Sequence, residues 1–159
     1  HSLSADAHFN FNENKANELQ SINSLSFSLQ VKNLKSNKKM MDKNAYKALK
    51  AELYKEIVFK LTDAKVSSSE NNKYLVNTTG NLTIAGITNE IKMNVYCRVN
   101  KDKTVTCNGS YKMKMTDYKV NPPDFLGGAM TTGDDITLDF KLIFNTSFES
   151  ETNYITIHP

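Results

Sequence analysis

Hydrophobic and polar residues alternate with a period of two along most of this chain. Leu25-Ser26-Phe27-Ser28-Leu29-Gln30-Val31 puts its apolar side chains on one face and its polar ones on the other, the pattern of a strand with one dry side. A weaker alternation runs through Ala5, Ala7, Phe9 and Phe11, with Asp6, His8 and Asn10 between them. Strands are also expected at Glu56–Thr62, where Ile57, Phe59 and Leu61 share a face, at Lys73–Thr78, and at Asn81–Ala85 beyond Gly80. Gly86-Ile87-Thr88 then turns the chain. Ile91, Met93, Val95, Cys97 and Val99 alternate with Lys92, Asn94, Tyr96 and Arg98. After a polar turn at Asn100–Thr104, Val105, Cys107, Gly109, Tyr111, Met113 and Met115 return on one face. Pro122-Pro123 and Gly127-Gly128 interrupt regular structure, and Gly133-Asp134-Asp135 turns into Ile136, Leu138, Phe140, Leu142 and Phe144. Asn153–His158 reads as an edge strand.

One stretch breaks the rhythm. Lys43-Asn44-Ala45-Tyr46-Lys47-Ala48-Leu49-Lys50-Ala51 is rich in helix formers, with Asp42 placed to cap its N-terminus and Ala45 and Leu49 on the docking face. One short helix among seven to nine antiparallel strands, each with an apolar face, predicts an all-β domain spanning 1–159. Such strands must either curl into a barrel or pair as a sandwich. Composition agrees with a globular protein: 39% hydrophobic and 9% aromatic residues, with no apolar run long enough to span a bilayer as a helix. The net charge of +3 is read as too weak and too scattered for nucleic acid, although mild attraction to anionic surfaces is compatible with it. The chain opens at His1-Ser2-Leu3 without an apolar leader, so it is read as a mature or trimmed chain whose export signal is not in view.

Candidate chemistry is sparse. His1, His8 and His158 lie near the termini, away from any candidate nucleophile, and no hydrolase, zinc, phosphate-loop or dinucleotide motif occurs. No reaction, metal or cofactor is therefore expected. A hairpin centred on Asp102 would set Cys97 across from Cys107, and either a cross-strand disulfide or two buried reduced thiols would suit that pairing. Asp117, in Lys114-Met115-Thr116-Asp117-Tyr118, would either shape a turn or orient a ligand head group. Met93, Met113 and Met115 share inward faces with Phe59, Tyr111 and Phe140. That set would adapt to an apolar guest, but alternation alone favours a solid core.

Several segments, taken in order, resemble the YceI-like family. They are Met41-Asp42-Lys43 with Ala48-Leu49-Lys50, Ile57-Val58-Phe59, the run Gly80-Asn81-Leu82-Thr83-Ile84-Ala85-Gly86-Ile87-Thr88, Gly109-Ser110, Lys112-Met113-Lys114-Met115-Thr116-Asp117-Tyr118, Pro122-Pro123 and Thr132-Gly133-Asp134-Asp135-Ile136. The resemblance implies a lipocalin-like antiparallel β-barrel, exported to the periplasm or secreted, that stores or transports a polyisoprenoid or related lipid without catalysis. It implies that Phe27, Leu29, Phe59, Ile84, Met93, Val95, Tyr111, Met113, Met115, Leu138, Phe140 and Leu142 line the cavity, with Asp117 and Tyr118 at the rim. Such families carry at least one strand before the position of His1, so an N-terminal strand is expected to be missing and one barrel edge open. The C-terminal run, a second protomer in a homodimer, or preceding residues would then close it. Transient contact with a membrane fits a lipid carrier. Two rivals remain: a β-sandwich or barrel interaction or adhesion domain with a solid core, and an enzyme with a concealed site near Asp117, Tyr118 and the cysteines.

Overall fold

The computed structural model describes residues 3–12, 15–36, 38–120, 124–125, 130–131, 135–145 and 154–158. Its strands are β1 (Leu3–Asn12), β2 (Lys15–Gln30), β3 (Glu56–Glu70), β4 (Lys73–Ile84), β5 (Ile87–Val99), β6 (Thr104–Lys114), β7 (Asp124–Phe125), β8 (Met130–Thr131), β9 (Asp135–Asn145) and β10 (Tyr154–His158). The helix, α1, covers Lys39–Ala48. Eight strands form one sheet in the order β1-β2-β3-β4-β5-β6-β9-β10, and β7 pairs with β8 apart from it. Every pairing is antiparallel. The expected His1, Pro122-Pro123, Gly127-Gly128, Gly133-Asp134 and Asn153 features lie outside the described residues.

The sheet is strongly curled. Phe27 on β2 and Phe140 on β9 are separated by four intervening strands, about 24 Å on a flat sheet. Their ring centroids are 5.6 Å apart, so the dry faces have rolled inward to meet. Phe9 on β1 packs edge-on against Phe144 on β9 at 5.4 Å, bringing the two sides of the sheet together at one end. Sheet order starts at β1 and ends at β10, with no ladder joining them among the described residues. The C-terminal run expected as an edge strand adds to β9 from Tyr154↔Lys141 to His158↔Thr137.

Three strands are longer than their periodicity suggests, each for an identifiable reason. On β2 the inward residues are Leu29, Phe27 and Leu25, then Ile22, then Leu19. Register shifts opposite His8/Phe9 and Asn10/Phe11 insert extra residues there, and each one reverses which parity faces inward. A shift between Leu61 and Asp63 does the same on β3, so the strand continues with Ala64 and Val66 half-buried rather than ending at Thr62. Gly80 does not break β4, which runs unbroken from Lys73 to Ile84. The turn before β5 is Ala85-Gly86, both at positive φ (49° and 81°), and Ile87 already pairs with Ile84. Asn71-Asn72 turns β3 into β4 in the same left-handed region. Positive φ at both central residues matches the right-handed strand twist, and asparagine tolerates it.

Asp42 is not the helix cap. The N-cap position is Lys38, whose side chain makes no cap bond, and Asp42 lies inside the first turn, buried. Its Oδ1 accepts hydrogen bonds from Ser36 N at 2.7 Å and Ser36 Oγ at 2.8 Å. The carboxylate thus ties the helix to the segment that precedes it. Met41, Ala45 and Leu49, spaced one turn apart, lie on the same side of α1 as Asp42 and bury it against the core.

Candidate apolar interior

The inward positions of the sheet converge on one core. Phe27, Leu29, Phe59, Ile84, Met93, Val95, Met113, Met115, Phe140 and Leu142 are buried in it, while Tyr111 and Leu138 pack against it half-buried. Its centre is a cluster of three rings. Phe27 stacks on Phe59 with centroids 5.4 Å apart and leans on Phe140 from the other wall. Two glycines make room for these rings. A Cβ on Gly80 would stand 2.4 Å from Phe59 Cζ, and one on Gly109 would stand 2.3 Å from Phe140 Cε1. Alternation could not reveal this role, because a glycine inside a strand looks like a weakness until its neighbour is known.

The two ends of the interior differ. At the end that carries the 71–72 and 100–103 turns, Tyr74 Oη accepts from Leu19 N at 3.1 Å, linking β2 with β4. Cys97 and Cys107 lie near this end, directly paired and buried, as free thiols with sulfurs 3.1 Å apart. Asn100 N donates to Thr104 O. Counting antiparallel alternation back from that pair makes Cys97–Cys107 a non-hydrogen-bonded pair, the closer kind. The Cys97 contact, reinforced by burial, holds the Cys107 thiol well above its ordinary value. At the other end the interior is covered by α1, by Leu34 and by a 3₁₀ turn at Met115–Tyr118.

Of the two expected rim residues, only Asp117 is exposed. Its Oδ2 accepts from Lys114 N at 3.3 Å and its carbonyl accepts from Asn89 Nδ2 at 2.8 Å, so it shapes the turn. Tyr118 is buried at 1% exposure. Among the described residues its hydroxyl makes no hydrogen bond within ordinary geometry, and the adjacent Asn89 amide donates to the Asp117 carbonyl. Burial, with smaller contributions from Tyr111 and Asp117, pushes its pKa up to about 12. It is a neutral donor at physiological pH.

The walls carry almost no other polarity. The buried polar side chains described are Asp42, Thr78 and Thr104. Asp42 is satisfied by Ser36, Thr78 Oγ1 donates to Met93 O at 2.7 Å, and Thr104 Oγ1 donates to Asp102 Oδ1 at 2.6 Å. No group of three His, Cys, Asp or Glu able to hold a metal occurs among the described residues. His8 is exposed on β1, and the His158 backbone lies on β10. Residues missed by periodicity, such as Leu19, Ile22, Leu34 and Val76, complete the apolar lining.

Fold and interior together define a curled antiparallel barrel whose inner surface, among the described residues, is predominantly apolar. Residues 2–144 match the model of the YceI-like domain, and the chain belongs to that family, a β-barrel fold known for binding apolar ligands and not known for catalysis. The chain is similar to the YCEI protein of Campylobacter jejuni, with 20% identity, a TM-score of 0.60, and coverage of 93% of this chain and 81% of that one. It is also similar to BcnA of Burkholderia cenocepacia, with 22% identity, a TM-score of 0.62, and coverage of 88% and 83% respectively. No curated protein matches the chain.

Proposed function

We propose that this protein holds a long apolar molecule, a polyisoprenoid or a lipid of similar girth, inside the barrel and stores or transports it outside the cytoplasm without chemical change. The observation that carries the reading is the interior itself, a continuous wall of Phe, Met, Leu, Ile and Val with its few polar groups satisfied, apart from one phenol. Such a wall recognises hydrocarbon and rejects charge. Each methylene transferred from water contributes about 0.8 kcal/mol, so a long chain needs few directional contacts. Met93, Met113 and Met115 have the side-chain freedom to repack around a guest. The Tyr118 hydroxyl supplies a donor for an oxygen at one end of the cargo, beside the turn that separates it from solvent.

The close packing of Phe27, Phe59 and Phe140 favours a second reading, an interaction domain with a solid core that works through its outer face. Organic extraction of the purified protein followed by mass spectrometry separates the two. A stoichiometric long-chain lipid is expected, with none from a folded Met113→Asp variant. An empty extract from well-folded protein, or equal lipid in that variant, would assign the rings to a solid core and end the carrier reading.

A further inference from the structure

The charge is not scattered in space. The connection between β2 and β3, residues 31–55, holds eight lysines against Asp42 and Glu52, a formal +6, and leaves −3 for the rest of the chain. All eight lysines are exposed: Lys32, Lys35, Lys38, Lys39, Lys43, Lys47, Lys50 and Lys55. Asp42 is buried and Glu52 is paired with Lys32, so neither opposes the outward field strongly. At the same end, Asp135 is paired with Lys114 at 3.0 Å.

Exposed apolar side chains accompany the lysines. Met40, Leu53 and Tyr54 belong to this connection and are 59%, 70% and 36% exposed; of the large hydrophobics exposed among the described residues, only Tyr96 lies elsewhere. Helical geometry explains the grouping. Lys39, Met40, Lys43 and Lys47 fall on the side of α1 opposite Met41, Ala45 and Leu49, which bury inward. Leu53 shares a surface hollow with Lys32, Lys47 and Lys50.

We infer that this end of the barrel docks on an anionic lipid surface, with the lysines drawn to the headgroups and Met40, Leu53 and Tyr54 inserted among them. Complementary charge and a few projecting apolar groups are what such a surface selects. A protein partner fits less well. Protein interfaces favour Arg and Trp and deplete Lys, whereas every basic residue here is lysine. The docking does not depend on what the interior holds.

The test is co-sedimentation of the whole chain with vesicles of phosphatidylcholine alone or with phosphatidylglycerol at one part in three, in low and high salt. Binding is expected only to the anionic vesicles and is expected to weaken steeply with salt. The triple variant Lys39→Gln, Lys43→Gln, Lys47→Gln should bind about a hundredfold less, from about fivefold per lysine. Met40→Ser with Leu53→Ser should bind roughly tenfold less at unchanged charge. A control triple at the opposite end, Lys73→Gln, Lys101→Gln, Lys103→Gln, should bind like the parent. Absent binding to anionic vesicles, or equal loss in the control, overturns the proposal. So does lysine-dependent binding of soluble polyglutamate without vesicle binding, which would move the surface to acidic polypeptides.

Discussion

Gly109→Ala is the smallest change that interrogates the ring cluster. Its φ is not in the left-handed region, so the backbone accepts alanine and only the new methyl matters. That methyl would sit 2.3 Å from both Cε1 and Cζ of Phe140, more than 1 Å inside ordinary contact. Phe140 cannot simply retreat, because Phe27 blocks it and Phe27 rests on Phe59, whose ring already fills the space over Gly80. Overpacking of this kind costs about 1–3 kcal/mol, which for a chain of this size lowers Tm by roughly 3–10 °C. In a Phe140→Leu background the clashing ring edge is gone. The same Gly→Ala change should then stabilise by about 0.4–1 kcal/mol, by restricting the unfolded chain. Urea unfolding followed by far-ultraviolet circular dichroism on the four proteins of this cycle gives the coupling, expected near 2 kcal/mol. An equal cost in both backgrounds would refute the reasoning, since the penalty would then not come from the ring.

Three further outcomes follow from the same structure. Asp42→Ala should destabilise by about 1–3 kcal/mol in urea unfolding, because the Ser36 N–H loses its acceptor in a half-buried site and the Ser36 hydroxyl keeps only Lys38 O. Tyr118→Phe should leave the free protein as stable or slightly more so, yet weaken retention of any cargo that carries an acceptor oxygen; in the parent, absorbance near 295 nm should show one tyrosine ionising only at about pH 12. The unfolded phenol ionises near pH 10, so this group makes stability fall with rising pH between about 10 and 12 and has no effect below that window. Cys107 acts with the same sign from the ordinary thiol value upward. Folded protein should alkylate slowly, whereas refolding with oxidised glutathione as the disulfide donor should link Cys97 to Cys107 with a mass loss of about 2 Da, the two hydrogens ending on two reduced glutathiones; no loss would show that the pair cannot reach disulfide geometry.

Where the ladder is regular, periodicity was enough to read the strands. β5, β6 and β9 have no shifts in their mutual register, so Met93, Val95, Cys97, Cys107, Met113, Phe140 and Leu142 could be placed inward from parity alone. The Cys97–Cys107 register follows from the same counting around the 100–103 turn. Parity fails at each bulge, which is why Leu19 and Ile22 on β2 and the second half of β3 were not legible. Asp42 looked like a cap because a cap and an interior helix residue that bonds back to Ser36 share one residue type, and only the backbone distinguishes them.

What the linear order determined by itself was local: alternation, one helix, the absence of catalytic spacing, and the dry face of each regular strand. These follow from the two-residue pleat and the 3.6-residue turn, which act within a few neighbours. Tertiary structure alone decided what meets across the interior. It set Gly80 under Phe59 and Gly109 beneath Phe140, and it buried the Tyr118 hydroxyl. Each of these depends on how far the sheet curls. That curl is set by the packing of side chains distant in sequence, and no local pattern encodes it.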